Sequence, residues 1–344
     1  MAGEVRIGLI GIGRIGKIHA VNSARHIPGA RLEGIADIAL PPEQQSWAKG
    51  LGVRLLSTDP QDILQDPAID GVVICSATHT HADLIIAAAA AGKHIFCEKP
   101  IDLSVPRVKA ALAAVKEAGV ILQVGFNRRF DHNFKRIREL IHAGDLGAVQ
   151  LIKITSRDPA PPPPAYVAGS GGIFMDMMIH DFDMARFLAG REITQVYAAG
   201  AVLIDPEIGK AGDVDTAIVT LTFANGALGV IDNSRKAVYG YDQRVEVFGS
   251  KGAALAENDL PNRVRVFTAA GVTGEKPLHF FLERYKEAYI AELASFVDAV
   301  SHHTPAQVSG AEGLENMYAA LAAGKSLKEK RPVFIDEVRA EYSP

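Results

Sequence analysis

Cysteine, tryptophan and a large charge of either sign are what this sequence has least of. Its two cysteines, Cys75 and Cys97, form no Cys-x-x-Cys pair, and no Cys/His spacing suits zinc. A disulfide framework and a zinc module are therefore set aside, and no metal is expected. Both cysteines end apolar runs and read as buried, reduced thiols. A formal net charge of −4 over 344 residues is too mild to attract nucleic acid or a membrane surface, so neither is expected as a partner. The longest apolar stretch, Leu84 to Ala91, is Ala-rich and far short of the roughly 20 residues a bilayer span needs. The chain enters an apolar run at Val5 with no secretory leader pattern before it, and a cytoplasmic protein is expected. What remains is 48% hydrophobic and 22% charged, enough for a real core, at a length that suits two domains better than one.

The first ~125 residues alternate short apolar runs with helical patterns. Strands are expected at Val5–Ile10, Leu32–Asp37, Val53–Leu56, Gly71–Ser76, His94–Cys97 and Val120–Gly125. Helices are expected at Arg14–Arg25, His81–Ala91 and Ser104–Ala118. Such alternation means a parallel sheet covered by helices on both faces. The pattern then changes. A helix at Asn133–His142 and a strand at Val149–Ser156 lead into a proline run, 159–164, that reads as a stiff extended connector. A helix over Ile173–Leu188 is followed by strand-like segments at Val196–Val202, Thr216–Phe223, Ala227–Asn233, Arg244–Phe248 and Val264–Phe267, with Asn225-Gly226 as a hairpin turn. Helices return at Leu282–Ser301 and Ala311–Lys328. The expected architecture is an α/β domain over 1–125, then an α+β domain over 126–344 with an open, mostly antiparallel sheet.

Directly after the first strand stands Gly11-Ile12-Gly13-Arg14-Ile15-Gly16. Alone, a GxGxxG is weak evidence. Here it follows a strand, opens a helix and begins a βαβ unit, the context in which it binds a dinucleotide. Gly11 permits the tight turn, Gly13 lets the backbone approach a pyrophosphate, and Gly16 lets helix pack on strand. The helix N-terminus adds free N–H groups and a positive dipole end. Asp37 lies at the distance expected of a ribose-binding acid, and it would repel the 2′-phosphate of NADP. Ile38 and Ala39 offer no cation to hold that phosphate, so NAD is the expected cofactor. A turn or cap acid is the other reading of Asp37.

Lys99, in Glu98-Lys99-Pro100, follows the fifth strand at the carboxyl edge where open α/β sheets bind ligands; a plain surface lysine is its alternative. In the second domain Asp176 and His180 are four residues apart, one face of an expected helix. A carboxylate beside an imidazole suits a general base near neutral pH. A solvated polar face, or a metal pair with Asp183 as third ligand, reads the same spacing differently. Thr78, His81 and Glu98 lie beyond strand ends where a nicotinamide would run, or are helix caps and loop groups.

Together these pieces resemble the Gfo/Idh/MocA oxidoreductase family and, within it, its inositol-dehydrogenase branch. The likeness is carried by Gly11–Gly16, Phe96-Cys97-Glu98-Lys99-Pro100, Val124-Gly125-Phe126-Asn127-Arg128-Arg129-Phe130, GGIFMDMMIHDFD at Gly171–Asp183, and Tyr239-Gly240-Tyr241-Asp242. It implies an N-terminal Rossmann domain and a second domain whose sheet leaves one face for oligomerisation, giving a homotetramer or else a dimer. It also implies NAD-dependent oxidation of a cyclic polyol, myo-inositol first, held between the domains, with hydride passing to nicotinamide. Lys99, Asp176 and His180 match the family's catalytic Lys, Asp and His, and the Lys99–Pro100 bond is expected to be cis. Asn127, Arg128, Tyr239 and Tyr241 are implied as substrate contacts, although the two tyrosines read equally as half-buried sheet residues. Some relatives carry a His where this chain has Ser156-Arg157-Asp158, which leaves the pattern of hydroxyl recognition open. The same chemistry on scyllo- or chiro-inositol or a hexose is the sibling reading. A family enzyme that recycles a tightly held cofactor between two substrates is another. A non-catalytic NAD-binding sensor would have no need of Lys99, Asp176 and His180 together.

Overall fold

The apolar run Val5–Ile10 has no polar alternation because both of its faces are covered. In the computed structural model, which describes residues 4–343, it forms β1, the centre of a parallel sheet. The other members are β2 (Ala30–Ala36), β3 (Leu55–Ser57), β4 (Gly71–Ile74), β5 (His94–Glu98) and β6 (Leu122–Gly125). The order β3-β2-β1-β4-β5-β6 reverses direction of growth at β1/β4. That reversal is the switch point beside which dinucleotides bind in doubly wound sheets. All four residues of β4 are buried. One face of the sheet is closed by Leu293, Phe296, Val297 and Val300 of the helix Lys286–His302, packed with Ile7, Leu9, Leu32 and Ile35.

The second sheet alternates instead. In β9 (Thr216–Phe223) Ala217, Val219, Leu221 and Phe223 are buried, while Ile218 and Thr220 are exposed. The remaining strands are β7 (Val149–Arg157), β8 (Ile193–Ala201), β10 (Leu228–Ser234), β11 (Asp242–Gly249), β12 (Ala253–Ala256) and β15 (Val333–Phe334), in the order β12-β11-β7-β10-β9-β8-β15. All pairs are antiparallel except β10 with β7. Gly226, at φ 84°, makes the β9–β10 turn expected of Asn225-Gly226.

Several expectations shift. The chain divides into two compact units, each built from two segments: 1–130 with 287–315, and 131–286 with 316–344. A single cut after Gly125 misses the return of the helix Lys286–His302, because an amphipathic pattern does not say which sheet it will cover. The strand at Val264–Phe267 forms as β13 (Arg265–Thr268) but pairs only with β14 (Gly271–Gly274), in an exposed two-stranded ribbon outside the large sheet. The proline run ends sooner than expected: Pro164 starts the helix Pro164–Ser170, a position where the missing N–H costs nothing. The helix expected over Ile173–Leu188 is two helices, Gly172–Asp176 and Ile179–Ala189. Among the described residues, no helix is long and apolar enough to cross a membrane.

Candidate functional site

Glycine at position 11 is a requirement of the chain itself. Its φ is +93°, and a Cβ there would lie 2.6 Å from the Ser76 amide nitrogen. A Cβ on Gly16 would overlap the Gly11 carbonyl oxygen, so the helix Arg14–Arg25 can leave β1 this closely only without a side chain. Gly13 differs: a Cβ there would meet nothing within 4 Å. The space beside it is open, and Gly13 caps the helix with no side-chain hydrogen bond. Uncapped first-turn N–H groups beside open space are the cradle a pyrophosphate needs.

Asp37, just past β2, accepts from the Ile12 amide (2.7 Å) through Oδ2 and from the Ala39 amide (2.9 Å) through Oδ1. Its carboxylate thus braces the glycine loop from within and stays partly accessible. Those bonds are the ones a turn acid makes. The donor set of loop, helix start and acid fits an NAD-type dinucleotide.

At the carboxyl edge, Thr78 begins the helix Thr78–Ala90. His81 is 2% exposed, and its ring lies between the Ser76 carbonyl (Nε2, 3.0 Å) and the Pro100 carbonyl (Nδ1, 2.9 Å). That ring joins the β4 loop to the turn carrying Lys99, which makes His81 a brace of the cofactor edge. The Lys99–Pro100 bond is cis, as the resemblance implies. Lys99 and Glu98 are half-buried there, and Glu98 accepts from His19 Nε2 at 2.8 Å. Asn127 opens a short 3₁₀ turn, Asn127–Phe130, and is buried with its Nδ2 lacking a hydrogen-bond partner. A buried orphan donor invites a ligand acceptor. Arg128, next to it, is also buried.

In the second unit, Gly171 and Gly172 both take positive φ and lead into Ile173–Ile179, all of whose side chains are buried except that of Asp176. The break comes immediately after. The Met178 amide reaches back five residues to Ile173 O (2.8 Å), and the His180 amide donates to Met177 O at 3.4 Å instead of to Asp176. This is a π-type step, a local irregularity frequent at functional sites. Asp176 and His180 are therefore not separated by one regular turn of a single helix. Both still keep a half-exposed side chain on an otherwise buried segment.

Asp176 is anchored by partners from distant segments. Tyr166 donates its hydroxyl to Oδ1 (2.9 Å), and Arg235 Nη1 donates to Oδ2 (3.3 Å). Arg235 is 1% exposed and stands 3.6 Å from Asp213, which itself accepts from the Ile173 amide at 3.0 Å. A buried guanidinium thus sits between the candidate acid and a second carboxylate that fixes the helix start. Tyr166, Asp213 and Arg235 escape sequence reasoning; each is a solitary polar residue whose partner lies well away along the chain.

The neighbouring carboxylates are committed elsewhere. Asp181 accepts from Asn233 Nδ2 (2.9 Å), and Asp183 from Asn316 Nδ2 (2.7 Å). Tyr239 donates to Asp242 at 2.5 Å and accepts from Arg157 at 3.2 Å. Burial, then the Asp242 carboxylate, push the Tyr239 phenol up. Tyr241 is buried edge-on to Phe280 and Tyr285. Ser156 is buried and hydrogen-bonded to Gln243 (3.1 Å).

Comparison with known proteins agrees with this arrangement. Residues 5–126 match the model of an oxidoreductase family with an NAD-binding Rossmann fold, and residues 134–255 match the GFO/IDH/MocA C-terminal domain. The chain is 51% identical to the myo-inositol 2-dehydrogenase of Thermotoga maritima, over 97% of this chain and 99% of the relative. It is 50% identical to an inositol 2-dehydrogenase of Rhizobium meliloti, over 96% and 99%. The scyllo-inositol dehydrogenase of Lactobacillus casei, crystallised with NAD(H) and scyllo-inositol, superposes with a TM-score of 0.88 at 32% identity, covering 96% of this chain and 99% of that one. On these matches, and with its glycine cradle in place, the chain belongs to the Gfo/Idh/MocA oxidoreductase family.

Proposed function

We propose that this protein oxidises one hydroxyl of a cyclic polyol, myo-inositol first, with NAD as the cofactor. The reading is carried by about 50% identity to two inositol 2-dehydrogenases over nearly their whole length, in a chain that keeps Lys99, Asp176 and His180 in the family's motifs. Bound NAD supplies the hydride acceptor. Gly11–Gly16 and the first turn of the following helix hold its phosphates; Asp37 takes the ribose hydroxyls; Thr78 and Glu98 line the nicotinamide path, braced by His81. His180 takes the hydroxyl proton as the C–H bond on the same carbon breaks. Asp176 steadies the imidazolium that forms, its own carboxylate held by Tyr166 and Arg235. Lys99 donates to the same oxygen. Asn127, with its orphan amide, and Arg128 take ring hydroxyls. Tyr239 and Tyr241 act at one remove, through Asp242 and the aromatic cluster.

The protein is further proposed to be a cytoplasmic homo-oligomer, a tetramer or else a dimer. Support comes from the outer face of the second sheet, where Tyr197, Ile218, Leu228 and Phe248 are all more than 40% exposed. The register puts these four on one side, opposite Val219 and Ile231. Light scattering on the purified protein checks this; a monomer at micromolar concentration removes it.

The activity test is NADH formation with a panel of myo-, scyllo- and chiro-inositol and glucose, repeated with NADP⁺. Myo-inositol turnover with NAD⁺ is the expected result. The likeness to the L. casei enzyme favours scyllo-inositol as the second reading. No turnover of any polyol removes the proposal.

A further inference from the structure

Under the carboxyl edge of the first sheet lies a group of polar side chains that the proposed chemistry leaves unused. His19, on the helix that starts at the glycine loop, and Glu292, on Lys286–His302, are both 0% exposed. His19 Nε2 is 2.8 Å from Glu98 Oε1 and 3.9 Å from Glu292 Oε1. Neither Glu292 oxygen has a hydrogen-bond partner, nor does His19 Nδ1. The imidazole is fixed edge-on by Phe96 (centroids 5.0 Å apart) and Tyr289 (5.8 Å). Gly125 leaves room for Glu98: a Cβ there would lie only 3.0 Å from its Oε2.

We propose that His19 and Glu292 are positioning residues for the Glu98–Lys99–Pro100 turn, a buried imidazole–diacid lock joining the glycine-loop helix and a late helix to the strand end that carries Lys99. The inference rests on the reading of Lys99 as a catalytic residue. Its physical basis is charge economy in a buried space. A fully buried carboxyl without a hydrogen-bond donor, beside a second carboxylate, is costly to ionise. Glu98 is partly exposed and hydrogen-bonded to His19. Glu292 carries a proton: burial first, and the Glu98 charge second, push its carboxyl well above the usual range. His19 donates through Nε2 to Glu98, so its side chain sets where the Glu98 carboxylate, and with it the next residue, Lys99, is held. The same three side chains have ligand atoms within 4.8 Å of one another, the geometry of a divalent-cation site. A fully buried Glu292 that keeps its proton is a poor ligand, and the lock requires no metal.

Three variants and two measurements test this on the full-length protein. His19→Leu removes the donor to Glu98 and is expected to cost roughly 10- to 100-fold in turnover, in kcat rather than in NADH affinity, because Lys99 is misplaced by a fraction of an ångström. His19→Gln, whose amide can replace the Nε2 donor, recovers most of that loss. Glu292→Gln, a neutral isostere, retains turnover. The infrared spectrum of the wild type near neutral pH shows the carbonyl stretch of a protonated carboxylic acid that Glu292→Gln lacks. Metal analysis after incubation with Zn²⁺ alone finds no stoichiometric ion. Equal loss in His19→Gln and His19→Leu, absence of the acid band, or zinc bound to the wild type and not to Glu292→Gln would each overturn the lock. Should His19→Leu fail to fold, Glu292→Gln and the infrared band still decide. Because the band is independent of turnover, a wild type inactive on every polyol fails the dehydrogenase reading alone.

Discussion

Two glycine-led helix starts govern this molecule, and they obey different rules. At Gly11–Gly16 the glycines answer to the chain's own backbone: a Cβ at 11 or 16 would strike main-chain atoms, and the helix that follows is regular. At Gly171–Asp183 the glycines again turn the chain, but the helix breaks after five residues, and Asp176 at its end is held by Tyr166 and Arg235, with Arg235 in turn beside Asp213. The first is a local device and the second is a junction of distant segments. A motif argument serves the first well and the second only in part.

The largest expected effect tests the junction. His180→Ala should lower kcat by about 10²- to 10⁴-fold, the usual weight of a general base, with NADH affinity by fluorescence retained. Unchanged turnover takes His180 out of its role and leaves the break in the helix without a chemical purpose. Next comes its anchor. Arg235→Leu leaves the partly buried Asp176 and Asp213 without their shared cation. Breaking a buried pair from one side costs about 3–5 kcal/mol, read in a urea titration. Arg235→Lys should recover part of this as a point charge without the planar fork. Full stability in Arg235→Leu would mean that Asp176 has no need of a fixed partner, and the contrast between the two helix starts would collapse.

The glycine loop allows a sharper test within one motif. Gly16→Ala must displace the Gly11 carbonyl and should destabilise by about 1–3 kcal/mol. Gly13→Ala meets open space and should leave the melting temperature unchanged while weakening NADH binding. Equal effects at the two positions would contradict the division of labour read from the motif. A smaller effect is expected at Asp37. Asp37→Ser removes the repulsion of a 2′-phosphate and one brace on the Ile12 amide, so KM for NAD⁺ should rise by about tenfold and NADP⁺ should begin to be used. If NADP⁺ gains nothing, Asp37 is a loop brace alone.

How far the sequence could be read follows the same line. The parallel sheet was legible because β1 and β4 are continuous apolar runs, and the second sheet because β9 alternates strictly. The NAD-binding domain was legible because its glycines act within a few residues of one another. The break at Met177–Met178 was not, since GIFMDMMIHDFDM keeps an apolar run through it and no proline or glycine marks the place. Arg235 was not, because one arginine at the end of β10 looks like any surface charge until its burial is known. His19 and Glu292 were illegible for a related reason: each sits on a helix whose neighbours are apolar, and only the fold brings position 292 to position 19. Periodicity reports which face is buried; it does not report which polar groups share the burial.

The hidden pair also bears on stability, through pH. Glu292 keeps its proton in the folded protein at pH values where an unfolded glutamate, with its ordinary pKa of 4.5, has lost it. Below that value both states are protonated and the group is neutral in the balance. Above it the folded state binds one more proton than the unfolded state, so stability falls as pH rises, by at most about 1.4 kcal/mol per pH unit for this one group. The fall continues until Glu292 ionises in place. His19, Glu98 and the Cys75 thiol face the same space, and Cys75 is itself held protonated by burial and by the Glu98 charge. Glu292→Gln removes the one proton in question and leaves those groups as they are. Its melting temperature should therefore gain on the wild type steadily from mildly acidic to mildly alkaline pH, with the two curves meeting at low pH. Parallel curves across that range would mean that Glu292 is ionised in the folded protein, with a protonated His19, 3.9 Å away, as its counter-charge.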